Sequence, residues 1–457
     1  MGISVVGLGK LGACIAASAA SKGMQVVGVD SNPRNVRLIN DGLPTVVEPG
    51  LAEMISANRE RLKATSDYQS AINQTDMTFV VVPTPSDQDG KFSLSFVLEA
   101  LKSIGAALAN KAGFHVVIIT STVLPGSTQV ALVPALEKAS GKKCGRDFGV
   151  CYNPEFIALG DVIHGLLNPD FILMGESDAK TGVLLEDFYS RFCDNHPPVR
   201  RMNFVNAELT KISVNTYVTT KISFANMLAA ICEELPGGDV DVVTAALGND
   251  ARIGRRYLTG ALGYGGPCFP RDNQALGYIA RELGCDASLA DATDKTNQVQ
   301  LDRLLKRVRS AISPEMTVGV LGVAYKPDTN VVEESQGLII AQRLASDGRK
   351  VIVFDPFAMD NARRVLNHSV QYAETMAECL RRSNALIIAN PCREFRAIKK
   401  SDLPRGEKPT IVFDCWRILR DELAGCDWVN YFSVGSTVGE TAGAARIAAM
   451  WDLSRLS

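Results

Sequence analysis

Residues 1–30 read MGISVVGLGKLGACIAASAASKGMQVVGVD and decide the fold. A short apolar run leads into a glycine-rich segment, GLGKLG, and a long stretch without glycine or proline follows it. This order predicts a strand, a tight turn and a helix. Gly7, Gly9 and Gly12 have the spacing that suits a turn, a close approach of backbone to a pyrophosphate, and close packing of helix on strand. The stretch therefore predicts a dinucleotide-binding unit.

The next predicted strand, VVGVD, ends at Asp30. A carboxylate at this point can accept hydrogen bonds from both hydroxyls of an adenosine ribose. A 2′-phosphate would meet its negative charge, so NAD is predicted over NADP. Arg34 works against this preference, because an arginine there can instead accept the phosphate.

Apolar runs and helical stretches alternate through the first 125 residues, as in a parallel sheet covered on both faces. Residues 206–235 contain neither glycine nor proline and predict one long helix of roughly 45 Å. The alternation restarts after Pro314, where VGVLGV echoes VVGLGK and VIVFD echoes VVGVD. We predict an α/β protein with two Rossmann-like doubly wound domains, joined by a long central helix and a helical dimerisation domain. The predicted bounds are 1–200 for NAD binding, 201–310 for dimerisation and 311–457 for the second Rossmann-like domain.

Composition excludes several classes of function. The 457 residues carry 48 Lys+Arg against 50 Asp+Glu, a net charge of −2 that disfavours nucleic acid or an acidic membrane as partner. No apolar run approaches the ~18 residues of a membrane span, and the N-terminus lacks the basic region of a signal peptide. Eleven cysteines without a CxxC pair indicate reduced thiols and a cytoplasmic location. The four histidines do not have metal-ligand spacing, so we expect no metal.

Residues 263–272, GYGGPCFPRD, form the sharpest chemical motif. Its three glycines allow close approach of a substrate to the backbone, and Cys268 and Asp272 lie four residues apart. Most cysteines are small buried hydrophobic residues. A cysteine in a Gly/Pro loop with a nearby arginine and aspartate is a better candidate for a thiolate nucleophile.

With this loop included, the sequence resembles the UDP-glucose/GDP-mannose dehydrogenase family along nearly its whole length. The motifs that carry the resemblance are GLGKLG with Asp30, EPGL (48–51), VPTP (82–85), STV (121–123), NPEF (153–156), AELTKISVN (207–215), the cysteine loop and AYKPDT (324–329). The resemblance implies oxidation of the C6 primary alcohol of a nucleotide-diphospho-sugar to a carboxylate. Two NAD are used per sugar, and no free aldehyde is released.

The resemblance also assigns the chemistry. A second hydride can leave only from a tetrahedral carbon, so a nucleophile must add to the aldehyde, and Cys268 has that role through a thiohemiacetal and a thioester. Lys211 and Asn215 lie one turn apart on one face of the long helix. Their ammonium and amide groups are therefore suited to stabilise a developing oxyanion. Thr122, Glu155 and Asp272 match family residues that position or activate water. The general base stays unassigned.

Binding residues follow from the same resemblance. Thr84 and Thr122 are expected to line the NAD site. The residues expected to bind the sugar nucleotide are Glu155, Lys211, Asn215, Arg252, Tyr257, Gly265 and Lys326. Among these, Arg252 matches an arginine that crosses the dimer interface toward the nucleotide phosphates, so the expected partners are a nucleotide sugar and a second copy of the chain, as a homodimer or higher even homo-oligomer.

Four positions depart from the family pattern. Leu159 replaces a second glutamate of many UDP-glucose enzymes, Thr259 an expected lysine, and Glu333 and Trp416 expected arginines. UDP-glucose is the default substrate, with UDP-N-acetylhexosamine or GDP-mannose as the alternative. A two-electron hydroxyacid-type dehydrogenase is a further alternative, but it needs neither the cysteine loop nor the last α/β unit.

Overall fold

The computed structural model describes residues 1–157, 160–437 and 442–451. The chain divides into two compact units. The first comprises Met1–Val214 and Tyr278–Gly284, and the second comprises Asn215–Gly277 and the chain from Cys285 onward.

The strands of the two units are, in chain order, β1 (Gly2–Val6), β2 (Gln25–Val29), β3 (Leu62–Thr65), β4 (Met77–Val80), β5 (Val116–Ile119), β6 (Gly149–Tyr152), β7 (Ile172–Glu176), β8 (Val199–Met202), β9 (Thr317–Leu321), β10 (Lys350–Phe354), β11 (Gln371–Tyr372), β12 (Ala385–Ile388), β13 (Thr410–Asp414) and β14 (Val429–Ser433).

The helices are α1 (Gly12–Ser21), α2 (Pro33–Asn40), α3 (Leu51–Ala57), α4 (Tyr68–Gln74), α5 (Ser95–Ala109), α6 (Val133–Ser140), α7 (Val162–Leu167), α8 (Ala179–Phe192), α9 (Phe204–Glu234), α10 (Val240–Gly248), α11 (Phe269–Glu282), α12 (Ser288–Ala311), α13 (Gln336–Ser346), α14 (Met359–Leu366), α15 (Met376–Arg382), α16 (Arg420–Leu423) and α17 (Ala442–Met450). A π-helical turn, Thr128–Leu132, precedes α6, and 3₁₀ turns cover Phe395–Ala397 and Lys400–Asp402.

The first unit is built on an eight-stranded sheet of order β3-β2-β1-β4-β5-β6-β7-β8. All neighbours are parallel except β6 and β7. Strands β4, β5 and β6 are buried at every position, as expected where helices cover both faces of a parallel sheet. The first six strands have the order of a dinucleotide-binding fold, which confirms the predicted fold class.

The glycine turn between β1 and α1 depends on a very close backbone approach. Gly7 has a φ of +93°, and a Cβ added to Gly12 would lie 1.8 Å from the carbonyl oxygen of Gly7. Only a residue without a side chain can start the helix this close to the strand. The predicted turn and helix packing are therefore present.

The second unit repeats this arrangement. Its six strands are all parallel, in the order β11-β10-β9-β12-β13-β14. Gly322 has a φ of +94°, and a Cβ on Gly337 would lie 2.0 Å from its carbonyl oxygen. The predicted repetition of VVGLGK by VGVLGV therefore corresponds to a second glycine turn. The segment between its two glycines is longer, however, since residues 323–336 stand where residues 8–11 stand in the first unit.

Asp355 follows β10 as Asp30 follows β2, but its environment differs. It is 3% exposed, and its Oδ2 accepts from the backbone N–H groups of Val323 and Ala324, each at 2.9 Å. Its Oδ1 accepts from the backbone N–H groups of Phe357 and Ala358, again at 2.9 Å. Four backbone donors saturate this carboxylate, so it holds loops together and offers no oxygen to a ligand.

The long helix α9 spans 31 residues, close to the predicted bounds. In the portions of the chain that the structure describes, no helix has the length and apolarity needed to cross a membrane.

A buried polar cluster lies at the edge of the first sheet where its parallel strands begin, opposite the edge that carries the glycine turn. His115 is fully buried directly before β5. Its Nε2 lies 2.7 Å from the hydroxyl of Thr78, which contacts the hydroxyl of Ser4 at 2.6 Å. Its Nδ1 lies 3.2 Å from the carbonyl oxygen of Thr75. Burial, reinforced by the Lys111 ammonium, lowers the pKa of His115 to about 3, so the imidazole is neutral in the folded unit.

We expect His115 to make the first unit acid-sensitive. The imidazole has a pKa of ~6.5 when unfolded and about 3 when folded, so its contribution to stability is complete above pH 6.5 and is lost as the pH falls toward 3. Between pH 6.5 and 4.5 the loss is about 2 to 3 kcal/mol. Calorimetric unfolding of His115→Gln should show a shallower pH dependence than wild type. The exposed His164 gives the control, His164→Gln, and an unchanged slope in His115→Gln would contradict the expectation.

Candidate active site

The first unit presents Asp30 beside the glycine turn. Its Oδ2 accepts from the backbone N–H of Leu8 at 2.8 Å and from the side chain of Asn35 at 3.1 Å, and its Oδ1 accepts from the backbone N–H of Asn32 at 2.8 Å. The carboxylate is half-buried, and its Oδ1, which accepts one hydrogen bond, retains acceptor capacity, unlike either oxygen of Asp355. Arg34 is exposed in the first turn of α2. Asp30 is thus placed to receive ribose hydroxyls.

The second glycine of the turn is open to a ligand. A Cβ added to Gly9 would meet no atom within 4 Å, whereas Gly7 and Gly12 are enclosed by protein. The N-terminus of α1, which begins at Gly12, supplies the N–H groups and dipole that favour an anion. The residues present therefore fit a dinucleotide pyrophosphate.

Thr84 and Thr122 lie on the loops that follow β4 and β5. The Thr84 hydroxyl, which is buried, donates to the carbonyl oxygen of Thr122 at 2.7 Å. Ser121 joins the same loops, since its hydroxyl donates to the carbonyl of Val82 at 2.7 Å and accepts from the Val82 N–H at 3.0 Å. Because β1, β4 and β5 are adjacent, both threonines lie at the sheet edge that carries the glycine turn.

Glu208 has a structural role that sequence reasoning missed. Its carboxylate, on α9, is fully buried and accepts from the backbone N–H groups of Gly126 at 2.6 Å and Thr128 at 2.8 Å. These donors end the loop that begins at Thr122. No local signal connects two segments so distant in sequence, so only the fold reveals this support of the loop.

Glu155 follows β6 and is half-buried. Lys211, which is 7% exposed, donates from Nζ to the backbone carbonyl oxygen of Glu155 at 2.6 Å and lies 4.6 Å from the ring centroid of Phe156. Burial raises the pKa of Glu155 to about 7, against the lowering effects of the Tyr189 hydroxyl and the Lys211 ammonium. A carboxyl group that titrates near neutral pH can both take and give a proton.

Tyr189 and Asn153 form a hydrogen-bonded cluster with Glu155, and neither was predicted from the sequence to have a role. The Tyr189 hydroxyl contacts Asn153 Oδ1 and lies 3.2 Å from Glu155 Oε1. Asn153 in turn donates from Nδ2 to the carbonyl oxygen of Leu173 at 2.8 Å. Asn153 belongs to the NPEF motif, but nothing in the sequence links it to a tyrosine on α8.

The second unit holds the cysteine loop. Cys268 is exposed directly before α11, and the N–H of Asp272 donates to its carbonyl oxygen at 2.8 Å. The Asp272 carboxylate is fully buried; Oδ2 accepts from the Asn215 amide at 2.6 Å, and the Arg271 guanidinium lies 3.2 Å from Oδ1. The structure therefore brings Asn215, Asp272 and the backbone of Cys268 together.

The glycines of this loop have a different explanation from the one expected. A Cβ on Gly265 would lie 2.1 Å from the carbonyl oxygen of Glu334, and a Cβ on Gly266 would lie 2.5 Å from the ring of Tyr325. Protein atoms of the second unit thus already fill this space. The assignment of Gly265 to the substrate stays a prediction.

Residues 323–336 supply the partners of that loop. The carbonyl oxygen of Glu333 accepts from the N–H of Gly266 at 3.1 Å. Burial, with the charges of Cys268 and Tyr257, raises the pKa of Tyr325 to about 12, so its hydroxyl stays protonated. Lys326 is half-buried, with Nζ 6.0 Å from the Tyr325 ring centroid.

The remaining predicted binding residues are exposed. The side chain of Arg252 is 88% exposed and pairs with Asp250 at 2.6 Å. Tyr257 has a φ of +66° and meets the ring of Phe269 edge-on at 6.2 Å. Thr259 is exposed, and Leu159 lies outside the described residues.

Arg417 does not replace the arginine that Trp416 displaces. The Trp416 indole donates to the carbonyl oxygen of Ala389 at 3.0 Å. The Arg417 side chain is 3% exposed and binds both carboxylate oxygens of Asp241 at 2.7 and 2.8 Å. Its guanidinium is therefore committed to the interior of the second unit.

Comparison with known proteins relates most of the chain to one family. Three models of the UDP-glucose/GDP-mannose dehydrogenase family match: the NAD binding domain over residues 1–193, the central domain over 205–299 and the UDP binding domain over 319–421.

Individual relatives match over nearly the whole chain. A UDP-glucose 6-dehydrogenase of Haloferax volcanii is 36% identical over 92% of this chain and 97% of its own. A GDP-mannose 6-dehydrogenase of Azotobacter vinelandii is 31% identical over 93% and 98%. A solved structure of a UDP-glucose dehydrogenase from Pyrobaculum islandicum has a TM-score of 0.86 and 33% identity, covering 95% of this chain and 98% of that one.

The glycine turn with Asp30, the buried Asp272 beside Cys268 and strands β10 to β13 of the second sheet fall within the matched segments. With relatives above 30% identity along almost its full length, this NAD-binding chain belongs to the UDP-glucose/GDP-mannose dehydrogenase family.

Proposed function

We propose that this protein oxidises UDP-glucose to UDP-glucuronate, with two NAD per sugar, through a covalent intermediate on Cys268. The observation that carries the proposal is the exposed Cys268 in a loop whose following turn holds the buried Asp272, which accepts a hydrogen bond from Asn215. The 36% identity to a UDP-glucose 6-dehydrogenase favours this sugar nucleotide. Cys268 must be a thiol, which agrees with the reducing, cytoplasmic location predicted from the cysteines.

The first oxidation converts the C6 alcohol to an aldehyde. When bound, NAD supplies the acceptor for the hydride that leaves in each oxidation. The alcohol proton must leave as well, and Glu155 accepts it through water, because its carboxyl group titrates near pH 7. Lys211 and Asn215 donate toward the oxygen, where negative charge develops.

The second oxidation proceeds on Cys268. Its thiolate forms a C–S bond to the aldehyde carbon, and the former carbonyl oxygen takes up a proton. Loss of that proton and of the second hydride gives a thioester. Water attacks the thioester carbon; the C–S bond breaks, and the carboxylate and the thiol are released. The resemblance gives Asp272 and Thr122 the role of positioning this water.

Two alternatives remain separable by experiment. GDP-mannose is favoured by relatives such as the Azotobacter vinelandii enzyme, and UDP-N-acetylhexosamine shares the same chemistry. A two-electron hydroxyacid-type dehydrogenase would leave the cysteine loop and the second sheet without a purpose.

The reaction should yield two NADH per sugar. We expect this stoichiometry with UDP-glucose, and far slower turnover with UDP-galactose, UDP-N-acetylglucosamine and GDP-mannose, measured by absorbance with limiting sugar. One NADH per sugar, or no reaction with any of them, would contradict the proposal.

The covalent route has its own controls. Cys268→Ala should lose turnover by orders of magnitude, and Cys268→Ser should stall with substrate-derived carbon attached, since an acyl-serine is hydrolysed more slowly than a thioester. Intact-mass spectra after incubation with NAD and sugar read this directly. The exposed Cys285 gives the matched variant, Cys285→Ala, which should retain activity. Turnover of Cys268→Ala within a few-fold of wild type would rule the route out.

Asp30 should determine the choice of cofactor. Its carboxylate, held by the Leu8 and Asn32 N–H groups, would repel a 2′-phosphate. We expect NAD to exceed NADP clearly in kcat/KM, and Asp30→Ala to weaken NAD about tenfold or more, the loss of one or two charge-assisted hydrogen bonds. Calorimetric titration with each cofactor measures this, with Arg34→Ala as control. Equal kcat/KM for both cofactors in wild type would show that Arg34 dominates.

We further propose that α9 forms the centre of a homodimer. The apolar residues of this helix differ in exposure: Leu209 and Met227 are exposed, Val218 and Ile222 are half-buried, and Ile212 is fully buried.

The exposed apolar face of α9 in the second unit is defined by a seven-residue repeat. Tyr217, Phe224 and Ile231 are 64%, 46% and 47% exposed. This spacing keeps large apolar side chains on one side of a helix, which suits packing against a second helix. The exposed Arg252 is then available to the partner's substrate, as the resemblance implies.

Charge on this face should dissociate the dimer. We expect wild type to sediment as a dimer or larger even oligomer at micromolar concentration, and Phe224→Glu to shift it toward monomer because a charge cannot be buried there without a partner. Val183→Glu, at a similarly exposed position on α8, is the control. A monomeric wild type would refute the assembly.

In the dimer, Arg252→Ala should raise the sugar nucleotide KM more than it lowers kcat.

A further inference from the structure

Three polar side chains, those of Asn153, Glu155 and Tyr189, meet inside the first unit. The Tyr189 hydroxyl contacts Asn153 Oδ1 and Glu155 Oε1. Asn153 and Tyr189 are 1% and 4% exposed, so their hydrogen bonds must come from neighbours. Because Asn153 Nδ2 donates to the Leu173 carbonyl, the amide orientation is fixed and Oδ1 can only accept.

The number of available protons distinguishes the two states of Glu155. A neutral tyrosine has one hydroxyl proton. If Glu155 is ionised, it and Asn153 Oδ1 compete for that proton, and one acceptor is left unsatisfied. If Glu155 is protonated, it donates to the Tyr189 oxygen while Tyr189 donates to Asn153. Only the protonated acid satisfies all three groups from within the protein, without water.

We propose that Asn153 and Tyr189 are positioning residues that hold a proton on Glu155: Asn153 engages the tyrosine proton, and Tyr189 presents its oxygen to the carboxyl group. The catalytic meaning of this arrangement rests on the proposed function, in which Glu155 takes part. When Glu155 gives up its proton, the Tyr189 hydroxyl can rotate and donate to it, at the expense of Asn153.

Two other titratable groups face this pocket. The Cys193 thiol, at the end of α8, stays protonated because burial, reinforced by Glu155, raises its pKa to about 12. The Lys211 ammonium, on α9, donates to the Glu155 backbone carbonyl, and its charge lowers the pKa of the carboxyl group. Lys211 therefore favours the ionised acid, as a hydrogen bond donated by Tyr189 does, and Asn153 opposes it by engaging the tyrosine proton.

A double-mutant cycle tests the proposal without sugar or cofactor. The infrared carbonyl band of protonated Glu155 is identified by its loss in Glu155→Gln and followed against pH. In Asn153→Ala the tyrosine proton is free for the carboxylate, so the midpoint should fall by about half to one pH unit, the worth of one hydrogen bond. In a Tyr189→Phe background, Asn153→Ala should leave the midpoint unchanged.

The controls keep the test decisive. Asn153→Leu, closer in volume, should give the same shift as Asn153→Ala if the latter folds poorly, and Tyr372→Phe, in the second unit, should give none. An equal shift with and without the Tyr189 hydroxyl, or no shift in either Asn153 variant, would overturn the proposal. Absence of sugar oxidation alongside the expected band shifts would overturn the proposed function and leave this proposal supported.

Discussion

The close approach between the carbonyl oxygen of a glycine that follows a strand and a glycine in the first turn of the next helix is the constraint on which both units depend. It occurs between Gly7 and Gly12 and again between Gly322 and Gly337, with a φ above +90° at the first glycine of each pair. It fixes where the helix starts relative to the sheet. The residues between the glycines are then free to differ: 8–11 leave backbone open to an anion, and 323–336 carry Tyr325 and Lys326 toward the cysteine loop.

The carboxyl groups of Asp30, Asp272 and Glu155 have different properties because their hydrogen-bonding neighbours differ. Asp30 is held by backbone donors and keeps acceptor capacity. Asp272 is buried but has a guanidinium and an amide as partners. Glu155 is bonded through its carboxyl group to a phenol, while the nearby ammonium donates to its backbone. Burial raises the pKa of Glu155 to about 7.

The fold and part of the site could be predicted from local sequence. The glycine turn, Asp30 and α9 follow from spacing and the absence of helix breakers, and the echo of VVGLGK by VGVLGV correctly predicts a second parallel sheet. The support of Thr122 by Glu208 and of Glu155 by Tyr189 could not be predicted, because each joins segments far apart in sequence. Arg417 follows Trp416 in the sequence, and its contact with Asp241 depends on tertiary packing.

The saturation of Asp355 bears on the order of events during turnover. Its four backbone donors leave no acceptor for ribose hydroxyls at the position that Asp30 has in the first unit, so among the two glycine turns of the described chain the one at Gly9 and Asp30 fits a dinucleotide. In the proposed reaction, both hydrides must therefore be transferred, one after the other, to NAD bound at this one site. Spent cofactor has to depart and be replaced midway, and the half-oxidised sugar must wait during that exchange. A carbon–sulfur bond makes its loss to solvent a chemical step instead of simple diffusion.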